Sequence, residues 1–246
     1  MGINRRGEQD VSSPCSDVEI RVMSDSSTGS KMMTVLEIGL RPGGSTPYQA
    51  NVSHEESWFI YSGDVTFIEG SVRYALTSGD CVLVAKGVGM SVENTGSAPA
   101  RIVTMSPDPS VVREEVEMGE VVDGLPGENV LIRSEYEAFE FAPGVMRVDM
   151  VDDSRGARSS YFSELSFSPG TLTPNHYHPA HEETMFCIEG SMTAVYGEDD
   201  GVPLPAGDVF LCEPLVRHAT NNPSSEPSKL LAIHPVLNPP PRVMCD

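Results

Sequence analysis

Basic residues are scarce in this chain: 16 lysines and arginines stand against 36 aspartates and glutamates, for a formal charge of −20 over 246 residues. Such a surface repels nucleic acid and anionic membrane, so neither is expected as a partner. Cysteines are few and odd in number, five in all (Cys15, Cys81, Cys187, Cys212 and Cys245), with no close pair. That argues against a disulfide framework or a cysteine-ligated zinc site, and reduced thiols fit a cytoplasmic location. The opening MGINRRGEQD lacks an apolar signal core, and Arg6 stands where a myristoylation signal carries Ser or Thr. No uninterrupted apolar run approaches the ~18 residues of a membrane helix. Helical periodicity is nearly absent. Histidine is rare as well, at six residues.

Turn formers are what the chain has in quantity, with 22 glycines and 20 prolines beside 39% apolar residues. That mixture suits short strands joined by turns. The segments SWFIYSGDVTFIEG and TMFCIEGSMTAVYG read as strand, glycine turn, strand, and GDCVLVAKG and GDVFLCEPL as strands opened by Gly-Asp. Regular short strands with Gly and Pro turns predict an all-β antiparallel barrel or sandwich. The pattern occurs twice. Pro42-Gly43, Thr46-Pro47 and Gly63 align with Pro169-Gly170, Thr173-Pro174 and Gly190; further on, Gly79-Asp80, Leu83 and Asn94 align with Gly207-Asp208, Leu211 and Asn222. One added residue in the turn GEDDG accounts for the change of offset. A register held this long implies internal duplication.

The two copies differ where chemistry would sit. The second reads NHYHPAHEETMFCIEG and the first YQANVSHEESWFIYSG. On a strand, residues two apart share a face, so the His176 and His178 imidazoles project together, roughly 7 Å apart at the backbone. That spacing suits a grip on one ion. Glu183 heads the next strand, and His218 follows much later; all four converge only if the sheet curls around them.

The spacing from Gly170 through His176, His178 and Glu183 to Gly190 resembles the first signature of the cupin superfamily. The run from Gly207 through Glu213, Leu215 and His218 to Asn222 resembles the second, with Glu213 where the family has Pro and Leu215 where it has Gly, departures that fall in a turn. The resemblance covers both repeats and implies a bicupin, two tandem jelly-roll barrels, with one divalent metal held by His176, His178, Glu183 and His218. Iron leads the expected metals, with Mn, Ni, Zn, Co and Cu as further candidates. In the first copy the equivalents are Gln49, Asn51, Glu56 and Met90; amides are weak ligands and a thioether is soft, so that barrel is read as metal-free.

The expected division is a polar N-terminal arm over 1–28, loose apart from an edge strand in VEIRVMS; a degenerate barrel over 29–110; a connecting segment over 111–157; a metal-binding barrel over 158–240; and a tail over 241–246, whose prolines bar it from a central strand. Alternation aims Met185 and Cys187 inward with Glu183, and Thr220 and Asn222 inward with His218, while Phe186 and Ile188 face away and Glu182 faces outward. His234 is a candidate general base at the barrel mouth, with an inert rim position as the alternative. Cys187 is a candidate thiol near the metal, with an apolar filler as the alternative. Arg217 turns away from the site. His54 and His181, beside the paired glutamates of both copies, are read as structural or as supports to the ligands rather than as ligands. The leading functional expectation is a metal-dependent dioxygenase-type oxidoreductase acting on a small organic molecule, as a homodimer. The alternatives are a non-redox cupin enzyme (isomerase, lyase or decarboxylase, cyclase, or a ureidoglycine-aminohydrolase-like hydrolase) and a non-enzymatic small-ligand binding or storage protein.

Overall fold

The structure is a computed structural model and describes residues 2–198 and 200–245. Among them there is no α-helix; apart from three single-turn 3-10 segments the ordered elements are strands. Each half forms two facing sheets. In the first half, seven strands run in the order Val130–Leu131, Cys81–Val84, Glu56–Ser62, Ala100–Ser106, Thr34–Leu40, Val18–Ser24, Val11–Cys15, opposite a six-stranded sheet centred on Gly89–Asn94 and Asp64–Glu69. In the second half, Val209–Cys212, Glu183–Glu189, Ser228–His234, Tyr161–Phe167, Val145–Val151 and Phe139–Ala142 form one sheet. The opposing sheet runs Val202–Pro205, Ser191–Tyr196, His218–Asn221, His176–Tyr177, Val243–Met244.

The period of two in the sequence sorts side chains into three cores. Trp58 and Ile60 point into the first barrel with Phe67 and Met90. Met185 and Cys187 point into the second with Phe167 and Phe210. The alternate residues Phe59, Tyr61, Phe186 and Ile188 meet between the barrels. There Phe59 stands edge-on to Phe162, and Tyr61 edge-on to Phe186, at centroid distances of 6.1 and 5.8 Å. The closing glycines of the repeats, Gly63 and Gly190, have φ of 96° and 73°. Left-handed backbone at these turns explains why both copies carry glycine.

The N-terminal arm is not loose. Val18–Ser24 pairs along Thr34–Leu40 of the first barrel, while Gly2–Asn4 pairs antiparallel with Val209–Cys212 of the second. Arg5 binds Asp208 at 2.7 Å, and Arg6 reaches the buried Glu37 of the first barrel at 2.7 Å. Polar composition suggested looseness; ion pairing and ladder hydrogen bonds to both barrels override it. In the tail, Val243–Met244 pairs with His176–Tyr177 at a sheet edge, past the prolines.

Candidate metal centre

Five of the six histidines meet in the second barrel. His176 lies opposite His218 in the antiparallel register of their strands. Glu183 opens a strand of the opposing sheet, where Thr184 pairs with Ile233, and that pairing brings His234 beside Glu183. Glu183 Oε2 lies 3.0 Å from His178 Nε2, 2.9 Å from His218 Nε2 and 3.9 Å from His176 Nε2. All four residues are buried and could hold a metal ion, their donor atoms lying within 4.8 Å of one another.

The tautomers test whether a cation suits this set. His218 Nδ1 lies 2.9 Å from the Val216 carbonyl, and His176 Nδ1 lies 3.2 Å from the Pro174 carbonyl. A carbonyl only accepts, so each Nδ1 carries its proton and each Nε2 of the neutral ring presents a lone pair. Those lone pairs face a carboxylate oxygen. Acceptor against acceptor in a buried site is repulsive unless a positive charge lies between them, a proton on the imidazole in the metal-free protein or a metal ion in the loaded one. A metal with bonds of ~2.1 Å separates adjacent ligand atoms by ~3 Å, close to the spacing at His178 and His218. Burial pushes Glu183 up, but the hydrogen-bond partners His178 and His218 outweigh it and hold the carboxyl well below its ordinary range. Burial pulls His176 down to about 4, so it stays an uncharged donor at neutral pH.

A second histidine group adjoins the first. His181 Nε2 lies 3.1 Å from His234 Nδ1, and His234 Nε2 lies 3.7 Å from Glu183 Oε1. Burial lowers both, to about 4 for His181 and about 3 for His234. His181 Nδ1 is buried without a partner. An unpaired N–H is less tolerable than an unpaired lone pair. The favoured tautomer of His181 therefore carries its proton on Nε2 and donates it to His234 Nδ1. His234 in turn carries its proton on Nε2, towards Glu183 and the cavity.

That cavity, about 720 Å³, opens beside His176, His178, Glu183 and His234. Val145, Leu165, Phe167, Met185 and Ala232 give it apolar walls, and Phe141, Arg147, Tyr161 and Arg242 also line it. Thr220 lines it as alternation predicts, but Asn222 does not. Asn222 is buried and donates to the Phe167, Ser168 and Glu226 carbonyls, holding turns together. Cys187 is buried in the barrel core away from the cavity lining, its thiol pushed up to about 11 by burial, and serves as a filler. His234 is buried in the cavity wall rather than at an exposed rim. Leu215, exposed where the family signature carries Gly, has φ of 66°, and its N–H donates to the His178 carbonyl at 2.8 Å. The turn keeps its left-handed shape despite the side chain.

Glu182 corrects an expectation. It is fully buried, and its carboxylate accepts from Ser30 Oγ, Lys31 N and Met32 N at 2.7, 2.8 and 3.1 Å. It lies in the turn before the strand, where alternation does not apply. Its counterpart Glu55 accepts from Arg158 N, Ser159 N and Ser160 Oγ at 2.8, 3.0 and 2.6 Å. In the first barrel Glu56 is paired with Arg113, whose Nε lies 3.1 Å from Oε2 and whose guanidinium sits 5.1 Å from the Trp58 ring centroid. Asn51 donates to Ser106 Oγ and accepts from the Ser53 and His54 amides. Met90 is packed in the core. His54 stands outside both histidine groups, 3.2 Å from Asp108. Arg113 lay in the connecting segment with nothing in the sequence to single it out.

The cupin domain pattern matches residues 36–106 and 163–234, together more than half of the chain. Germin-like protein subfamily 2 member 3 of Arabidopsis thaliana is 31% identical over 74 residues, 28% of this chain and 34% of that protein. The tetracenomycin polyketide synthase protein TcmJ of Streptomyces glaucescens is 28% identical over 89 residues, 36% of this chain and 58% of that one. Each alignment spans less than two thirds of the relative. Among solved structures, oxalate decarboxylase of Lactobacillus farciminis in complex with formate superposes with a TM-score of 0.80 at 13% identity, over 98% of this chain and 88% of that one. Oxalate decarboxylase of Bacillus subtilis at pH 4.6 superposes with a TM-score of 0.79 at 14% identity, over 99% of this chain and 78% of that one. Two matched domains and a two-barrel fold of this kind make the chain a member of the cupin family, a bicupin.

Proposed function

We propose that the chain is a metal-dependent cupin enzyme that acts on a small organic anion in the cavity of its second barrel, by proton-transfer chemistry of the lyase, decarboxylase or isomerase kind. One observation carries the metal: His176 and His218, with their Nδ1 protons committed to carbonyls, turn lone pairs onto the Glu183 carboxylate. His176, His178, Glu183 and His218 would hold a divalent transition ion, and three imidazoles with one carboxylate suit any of Fe, Mn, Co, Ni, Cu or Zn. When bound, the ion supplies Lewis acidity to a substrate carbonyl or carboxylate oxygen.

The reaction class rests on the His181–His234 pair. Dioxygen insertion does not itself call for a buried acid–base relay, whereas cleavage or rearrangement beside a carbonyl leaves a carbanion that must take a proton. His234 is uncharged at neutral pH, so its Nε2–H is placed to hydrogen-bond that developing anion while the proton itself comes from solvent at the cavity mouth, and His181 holds His234 in that tautomer. The apolar walls exclude water and strengthen both interactions. The fold shared with oxalate decarboxylases is compatible with this chemistry, as is the resemblance to a polyketide synthase protein, without choosing a substrate.

The test is turnover of a panel of keto and hydroxy acids by metal-loaded protein under nitrogen and in air. Activity is expected to persist without oxygen. His234→Gln is expected to lower kcat about 100-fold or more while retaining the metal. Turnover that stops under nitrogen and consumes oxygen in air would replace this reading with a dioxygenase. Tight binding with no turnover would replace it with a ligand-binding protein.

A further inference from the structure

The cavity mouth carries a recognition group that the metal centre does not use. Two guanidiniums approach the Phe141 ring, with Arg147 at 5.0 Å and Arg242 at 5.2 Å from its centroid. Arg147 also covers Tyr161 at 5.0 Å and is neutralised by Asp149. Arg242 pairs with no carboxylate among the described residues, and both arginines line the cavity. In a chain of net charge −20, an uncompensated guanidinium at a cavity mouth favours an anion there. Its planar fork matches a carboxylate, and stacking on an aromatic ring fixes the fork's plane.

Arg242 is also held in place. Three prolines, Pro239 to Pro241, precede it and restrict the backbone. Directly after it, Val243 and Met244 pair with Tyr177 and His176, and the Cys245 amide donates to the Asn175 carbonyl at 2.9 Å. The tail thus ties Arg242 to the strand that carries His176. Arg242 and the histidines line one cavity, whose apolar walls include Val145, Leu165, Phe167 and Met185. A cavity of about 720 Å³ falls in the range that encloses ring-sized ligands. A two-carbon diacid would leave most of it to water against apolar walls, which is unfavourable.

We propose that the substrate is a ring-bearing, largely planar organic monoacid: its carboxylate bound by Arg242, its ring against Phe141 and the apolar walls, and an oxygen function directed at the histidine centre. The assignment rests on the proposed function for its reacting end, and on the mouth alone for its acid end. Arg242 is then the residue that determines specificity for the anion.

Isothermal titration of the full chain, metal-loaded and metal-stripped, tests this with 1-hydroxy-2-naphthoate, 1-naphthol and oxalate as probes. The naphthoate is expected to bind best of the three. Arg242→Gln should weaken the naphthoate about tenfold or more, Arg242→Lys should weaken it less, and neither should change 1-naphthol. Equal naphthoate affinity in parent and Arg242→Gln overturns the proposal, and so does oxalate binding as tightly as the naphthoate. Failure of the parent to load metal would strike the proposed function instead, since the Arg242 effect is expected in the stripped protein too.

Discussion

His218 shows how much one hydrogen bond decides. Because its Nδ1–H is given to Val216, the other nitrogen meets Glu183 favourably only with a proton or a shared metal cation between them. The same burial sets a pH dependence. In the unfolded chain a histidine takes a proton near 6.5, whereas in the folded, metal-stripped protein His176 and His181 do so only near 4, and His234 near 3. Below pH 6.5 the unfolded state therefore binds more protons, and stability falls as pH drops towards 4, by up to about 1.4 kcal/mol per group per pH unit. Glu183 acts in the same direction at lower pH: held below 4.5, its stabilising contribution is present above that value and is lost as acid protonates it. The urea midpoint of the stripped protein is expected to fall clearly from pH 7 to pH 5; a flat profile would show that these imidazoles are not buried as neutral groups. Of the five clustered histidines, the four-residue set with Glu183 was legible because a strand spacing of two and a fixed motif register are local facts. The His181–His234 bond was not, because it depends on how two distant strands pair.

At the scale of elements, the two barrels are joined by reciprocal caps. Glu182 of the second barrel binds the approach to the strand Thr34–Leu40 of the first, and Glu55 of the first binds the approach to Tyr161–Phe167 of the second. Each carboxylate satisfies two backbone amides and a hydroxyl where the barrels meet. Glu182→Ala is therefore expected to destabilise by about 2–4 kcal/mol, measured by urea unfolding, because one buried and two partly buried donors lose their acceptor. A change under about 0.5 kcal/mol would mean that water replaces it. The duplicated His-Glu-Glu run was visible in the sequence, and the survival of its histidine in a copy stripped of ligand histidines already said that metal is not what retains that histidine. Its direction was misread, since turn residues take their orientation from tertiary partners. Arg113 shows the same limit: it pairs with Glu56 through the fold, from a segment with no motif.

Across the whole molecule, the apolar layer shared by Phe59, Phe162, Phe186 and Leu231 makes the barrels one packing unit, with the arm from Gly2 to Arg6 bound to both. Thermal unfolding of the metal-stripped protein is expected as one transition. Two separate transitions, one per barrel, would show that this layer does not couple them. Within that unit only the second barrel brings imidazoles together; in the first, a guanidinium already answers the glutamate. Duplication and barrel fold could be read from glycine, proline and alternation. The asymmetry of function could be read from Gln49 and Asn51 standing where His176 and His178 stand in the other copy. The mouth of the cavity could not, since Phe141 and Arg242 come together only when the tail pairs with the strand His176–Tyr177. The central claim is tested most directly by elemental analysis of the purified protein beside His176→Ala. The prediction is about one transition metal per chain in the parent and almost none in the variant. No metal in the parent, equal metal in both, or two metals per chain would contradict it.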